Sequence, residues 1–226
     1  RRQRQMCIRD RKWGDMQDLF ATQEVFQIGE QSFLYRGALL GQEKDILTLI
    51  QEIEQQAPFR HMYTPGGHRM SVAMTQCGAS GREGDQLHAS YRLHQGEGAP
   101  PWPAIPKLFL RLGEYYAAKS GYPHFKSNAV LLNRYDSDAK LSLHQDKDSG
   151  TAWPIVSLSF GATGRFVWGG WQRSDPKKRF LLENGDVLVW GGVDRLRFHG
   201  VDRIYLKDPT SPFYPYRYNI TLRAYS

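Results

Sequence analysis

Cysteine is nearly absent from this sequence: Cys7 and Cys77 are the two thiols in 226 residues. Two cysteines cannot build a disulfide framework, and a zinc site of the cysteine-rich structural kind has too few ligands here. Long hydrophobic runs are missing as well. No stretch approaches the roughly 18 apolar residues that a membrane-spanning helix requires. No secretory leader is visible at the N-terminus, so a reducing cytoplasm is the expected compartment and a membrane is not an expected partner. The sequence also lacks internal repeats and linker-like composition, which leaves one domain as the expectation, acting as a monomer.

What is present is the profile of a folded chain: 40% hydrophobic, 13% aromatic and 23% charged residues. Glycine (22) and proline (12) are frequent enough to favour many short strands joined by turns. The formal net charge of +7 invites a nucleic-acid reading. However, Arg1, Arg2, Arg4, Arg9 and Arg11 against Asp10 supply +4 of it within eleven residues, leaving +3 for the rest. Residues 1–15 show no apolar periodicity and read as an appended scar or disordered tail. A genuine basic DNA-binding arm is the competing reading. Residues 16–226 are then the domain.

Two helices stand out. Ile46, Leu49, Ile50, Ile53 and Ala57 recur at helical spacing over 43–57, and Pro58 ends the run. A second helix is expected from Pro106 to Ser120, with Leu108, Leu112, Tyr115 and Tyr116 as its buried stripe. From about residue 128 the pattern changes to short strands: Ala129 to Tyr135, Ile155 to Phe160, Arg165 to Trp168, Phe180 to Leu182, Val187 to Trp190 and Tyr216 to Ala224. Six or more such strands with two helices outside one sheet predict a mainly β sandwich or jelly roll. Residues 78–106 carry neither period and are expected to form a long surface loop or lid.

The candidate chemistry starts at His144-Gln145-Asp146. On an extended segment the period of two places His144 and Asp146 on one face, where an imidazole and a carboxylate can share a divalent metal. Lys147 and Asp148 follow directly, so a solvated turn is the alternative. His199 lies 53 residues downstream, after Leu196-Arg197-Phe198. Two histidines and one carboxylate make the facial triad of non-haem Fe(II) oxygenases, which keeps coordination positions open. In Arg217-Tyr218-Asn219-Ile220-Thr221-Leu222-Arg223 the odd positions are polar and the even ones apolar. A strand with two arginines and an asparagine on one face implies either an anionic ligand in a wet cavity or a solvated surface. Asn133 and Tyr135, also two apart, are further hydrogen-bonding candidates.

Taken together, several segments resemble one family. Asn133-Arg134-Tyr135, Lys140 through Asp148, Gly185 through Gly192, Arg195 through Gly200 and Arg217 through Arg223 occur in the order found in the bacterial AlkB family of DNA dealkylases. Thr64-Pro65-Gly66-Gly67 and Met70 through Thr75 extend the similarity, and Met16-Gln17-Asp18-Leu19-Phe20 resembles the family's start.

The resemblance implies a double-stranded β-helix (jelly roll) with a substrate-recognition lid around residues 60–95. It implies that His144, Asp146 and His199 bind Fe(II), with 2-oxoglutarate and O2 as cosubstrates. Arg217 would pair with the far carboxylate of 2-oxoglutarate, with Asn133, Tyr135, Asn219 and Arg223 completing that site. Asp148, Arg173, Met74 and Trp190 match substrate-pocket positions, and Tyr91 matches the family's loop tyrosine. One departure stands in the lid: Gly81-Arg82 occupies the place where the family commonly carries tryptophan. Stacking on a flipped base would then fall to Arg82 or another side chain. The implied function is oxidative demethylation of 1-methyladenine and 3-methylcytosine in single- or double-stranded DNA, with RNA as a second substrate class, releasing formaldehyde and succinate. Two alternatives are an Fe(II)/2-oxoglutarate hydroxylase of a protein or small molecule, and a jelly-roll binding module without catalysis.

Overall fold

The computed structural model describes residues 24–63, 67–78, 101–147, 152–206 and 208–225. Along the described chain come β1 (Val25–Gln27), β2 (Ser32–Tyr35), α1 (Glu43–Gln56), β3 (Arg60–Tyr63), β4 (Arg69–Gly78) and α2 (Lys107–Lys119). They are followed by β5 (Ala129–Tyr135), β6 (Leu141–His144), β7 (Ile155–Gly161), β8 (Thr163–Trp168), β9 (Lys178–Leu182), β10 (Val187–Trp190), β11 (His199–Tyr205) and β12 (Arg217–Arg223). The larger sheet runs β1-β2-β10-β7-β12-β5-β4-β3 and the smaller one β6-β11-β8-β9. All the described pairings are antiparallel. Two facing antiparallel sheets with both helices on the outer face of the larger one form the expected jelly roll.

Alternation along the central strands sorts the two cores. Val156, Leu158 and Phe160 of β7, Val187 and Val189 of β10, and Ile220 and Leu222 of β12 point to the helices, where they meet Ile46, Ile50, Ile53, Phe109, Leu112 and Tyr116. The opposite face of the same sheet meets the smaller sheet through Met74, Tyr135, Ile155, Leu188 and Trp190, packed with Phe166, Trp168 and Val201. The polar residues of β12 emerge on this inner side, between the sheets.

Helix α2 is rotated from the expected stripe. Phe109, Leu112, Gly113, Tyr116 and Ala117 are its buried residues, while Leu108 and Tyr115 are only partly covered. Smallness decides this, because a Cβ on Gly113 would come within 2.7 Å of the Leu222 side chain. Within residues 60–95, where a substrate-recognition lid is expected, β3 and β4 pair as a hairpin, and β4 continues onto β5. The remainder of that segment, residues 79–100, lies outside the described residues. No helix among the described residues is long and apolar enough to cross a membrane.

Candidate active site

The site is built where β6 meets β11. These strands run antiparallel with His199 opposite His144, so the register sets the two imidazoles side by side, ring centroids 4.4 Å apart. Strand β6 ends at His144, so the extended segment on which period two would carry Asp146 onto the same face stops short of it. Instead the chain turns, with the Lys147 N–H donating to the Gln145 carbonyl at 3.0 Å. The Asp146 carboxylate thereby sits between the rings: Oδ1 is 3.5 Å from His144 Nε2 and Oδ2 is 3.5 Å from His199 Nε2. The three ligating atoms lie within 4.8 Å of one another, and among the described residues no fourth His, Cys, Asp or Glu joins them. Two backbone carbonyls fix the tautomers. His144 Nδ1 donates to Ser142 O and His199 Nδ1 donates to Arg197 O, both at 2.9 Å. Each Nε2 lone pair is therefore free for a metal.

Charge at the triad is tuned by its neighbours. Burial pushes the Asp146 carboxyl up, but Arg223 and both imidazoles outweigh it and hold the group well below the usual carboxylate range. Arg223 Nη2 donates to Asp146 Oδ1 at 3.0 Å. Burial, with His144 beside it, keeps His199 below its ordinary value, so it is neutral at physiological pH, as a ligand must be. Burial pulls His144 the same way, and the Asp146 carboxylate overrides it upwards. His144 is also the more open ligand, its side chain 34% exposed against 5% for His199, which makes its side the mouth of the site.

Deeper between the sheets lies a second polar cluster. Arg217 is 1% exposed, yet among the described residues no carboxylate lies within ion-pair distance of it. Its Nη2 donates to Ser159 Oγ at 3.0 Å, and its Nε, though buried, has no partner. Gly164 makes the room, since a Cβ there would stand 2.6 Å from Arg217 Nε. Asn133 and Asn219 face each other across β5 and β12, Nδ2 to Oδ1 at 3.2 Å, and Asn133 Oδ1 is left unpaired. Asn219 Nδ2 is anchored on Ser157 Oγ at 2.6 Å. Tyr135 is also buried here, its hydroxyl pushed up to about 12 by burial. A buried guanidinium with an unused N–H and no counter-carboxylate fits the far end of a dicarboxylate. All five sequence-designated residues of this cluster, Asn133, Tyr135, Arg217, Asn219 and Arg223, thus line the inter-sheet space.

Of the substrate-pocket expectations, Met74 and Trp190 line the same interior, with the Trp190 ring 5.0 Å from that of His199 and its buried Nε1 unpaired. Arg173 stands at the rim, exposed, with Nη2 donating to Leu143 O at 2.7 Å. Asp148, Arg82 and Tyr91 lie outside the described residues.

Four participants escaped the sequence reading. Ser157 and Ser159 hold Asn219 and Arg217, and their shared parity in β7 was the available signal. Gln145, between two ligands, donates to Leu196 O at 2.5 Å and Trp171 O at 3.3 Å. Arg195, 1% exposed, clamps Asp146 O at 2.7 Å and Trp153 O at 3.0 Å. Nothing in composition or period distinguishes these last two.

Comparison with known proteins agrees with this geometry. The family model of the 2OG-Fe(II) oxygenase superfamily matches residues 32–223. The chain is 42% identical over 215 residues to the alpha-ketoglutarate-dependent dioxygenase AlkB of Escherichia coli K12, covering 92% of this chain and 97% of that protein. The AlkB of Salmonella typhimurium LT2 is 41% identical over the same shares. The solved structure of OsALKBH1 superimposes with a TM-score of 0.75 at 27% identity, covering 89% of this chain and all of that one.

Proposed function

This chain belongs to the 2OG-Fe(II) oxygenase superfamily, within it to the AlkB dioxygenases, and on that premise we propose that it demethylates N-alkylated bases in DNA. The observation that carries the reading is the open three-ligand cluster of His144, Asp146 and His199 set beside a buried arginine lacking any carboxylate partner among the described residues. Fe(II), 2-oxoglutarate and O2 supply the oxidation of the N-methyl carbon, with succinate, CO2 and formaldehyde as products.

The protein's own residues bind, orient and exclude. His144 and His199 offer Nε2 because their Nδ1 protons are committed to backbone carbonyls. Asp146 contributes a carboxylate that Arg223 keeps ionised. Arg217, with its unpartnered Nε and its Nη edge, would hold the far carboxylate of 2-oxoglutarate, and Asn133, Asn219 and Tyr135 would be the further polar groups of that site. Trp190, Met74 and Trp168 wall the interior and keep water from competing. The exposed edge of His144 leaves the base its way in, and a damaged base, poorly paired, costs less to extrude from the stack. By the family resemblance Asp148 would meet the positive charge of 1-methyladenine or 3-methylcytosine, and Arg173 at the rim would steer the strand. The reading extends to a monomer working in the cytoplasm.

A substrate panel tests this: succinate formation with Fe(II), 2-oxoglutarate and either methylated single-stranded DNA, methylated RNA or methylated peptide. Stimulation by DNA supports the reading, whereas stimulation by peptide alone contradicts it.

A further inference from the structure

Trp171 is 53% exposed, yet it is held on three sides. Its Nε1 donates to Val193 O at 2.9 Å, and the Arg197 guanidinium covers one face of the ring at 4.1 Å. Arg197 is itself fixed by the buried Asp194 carboxylate, Nε to Oδ1 at 2.5 Å. The third restraint ties Trp171 to the metal site. Gln145, the residue between His144 and Asp146, donates to Trp171 O. Two residues on, Arg173 reaches Leu143 O, next to His144. The segment carrying Trp171 is therefore seated against the open side of the site.

A large aromatic ring with one face in solvent and its orientation locked is an unusual thing to leave on a surface. The surroundings say what suits it. Residues 172–178 carry Arg173, Lys177 and Lys178 against one acid, Asp175, while Arg179 beyond them is paired with Asp202. Asp175 Oδ2 is already occupied by the Gln172 N–H at 2.9 Å. A fixed aromatic face within a basic stretch matches the stacking platforms on which proteins hold single-stranded nucleic acid, because every base has a π-face and every linkage a negative charge.

We propose that Trp171 stacks on an unpaired base of the strand, next to the base presented at the mouth of the site. The inference rests on the nucleic-acid reading above and adds the residue that grips the flanking strand. Because the exposed ring lies by Val193 and Arg197, with only the Trp171 backbone reaching the metal segment through Gln145, it takes a neighbour of the damaged base and not the damaged base itself. Single strands, whose bases are free to splay, should profit from it more than duplexes.

The test is binding of two labelled probes to the full-length protein, followed by fluorescence anisotropy at fixed salt. One is a single-stranded thymidine oligonucleotide; the other is an abasic strand with the same number of phosphates. Trp171→Ala should weaken binding of the thymidine strand roughly 5- to 100-fold and leave binding of the abasic strand as in the wild type. Trp171→Phe, which keeps a ring but not the Val193 bond, should retain most of the affinity. Equal weakening on both probes would overturn the proposal by showing that Trp171 acts through the position of Arg197 or Gln145. Unchanged affinity for the thymidine strand would overturn it alone. Failure of the wild type to bind either strand would overturn it together with the nucleic-acid reading.

Discussion

Arg223, at the end of the last strand, donates from Nη2 to Oδ1 of Asp146 at 3.0 Å, joining that strand to the candidate metal ligand. The contact keeps a buried carboxylate ionised and holds it in place between the two imidazoles. Partners of this kind, one bond removed from the metal, typically matter ten- to a hundredfold in metal affinity. Arg223→Leu should therefore lower Fe(II) affinity by about that factor, read by calorimetric titration of the metal. Retained affinity would show that Asp146 needs no such support.

Arg217 and Gly164 should fail in the same way. Arg217→Lys keeps a charge but loses the planar fork, so the KM for 2-oxoglutarate should rise about tenfold or more with a smaller change in DNA binding. Gly164→Ala puts a methyl group where Arg217 Nε now stands, 2.6 Å away. It should raise the same KM without touching any ligand group directly. An unchanged KM in both variants would place the far carboxylate elsewhere.

Acid stability should depend on Asp194. Burial alone would raise its carboxyl, but Arg197, the Gln31 N–H and the Ser32 hydroxyl hold it below the ordinary carboxylate value. With the folded value depressed, the stabilisation is fully present above the unfolded pKa of about 3.9 and is lost as pH falls towards and through the folded one. Asp194→Ala leaves the Gln31 N–H, the buried Ser32 hydroxyl and the partly exposed Arg197 edge without their acceptor and should cost about 1–3 kcal/mol. Urea melts of both proteins at neutral pH and below the carboxylate range should converge at the acid end. A constant gap between them would mean the ion pair is not the source.

Asp148 is expected to read substrate charge. The turn at Gln145–Lys147 removes the two-residue spacing argument for it, so the expectation rests on the family resemblance. Asp148→Asn should depress repair of cationic 1-methyladenine and 3-methylcytosine by roughly ten- to a hundredfold, and that of neutral 1-methylguanine far less. Initial rates on the three lesions decide it, and equal losses would remove the role.

The legible parts of this molecule are those where period and chemistry coincide. Strand β12 advertised its two faces because Arg217, Asn219 and Arg223 alternate with Tyr218, Ile220 and Leu222, and both faces are buried for different reasons. Helix α1 was equally plain. Strand β11 was not, because Gly200, Asp202 and Arg203 interrupt its alternation. Asp202 is half-buried and Arg203 exposed, with Asp202 bridging Arg165 and Arg179 on the outer face of the smaller sheet. The candidate metal ligands were singled out by residue type and order, and the extended segment that would have set Asp146 by period two stops at His144. His144 and His199 are joined by cross-strand register, and Asp146 by a turn, neither of which a single sequence displays. Gln145 and Arg195 act through backbone carbonyls, and a backbone carbonyl leaves no mark on composition.

The account stands most directly on one measurement: formaldehyde released from a single-stranded oligonucleotide carrying 3-methylcytosine, with Fe(II) and 2-oxoglutarate supplied, by the wild type and by His144→Ala. The wild type should release formaldehyde in step with succinate, only when 2-oxoglutarate is present, and His144→Ala should release none above background. Formaldehyde release that survives His144→Ala, or succinate formed by the wild type with the methyl group left on the base, would contradict it.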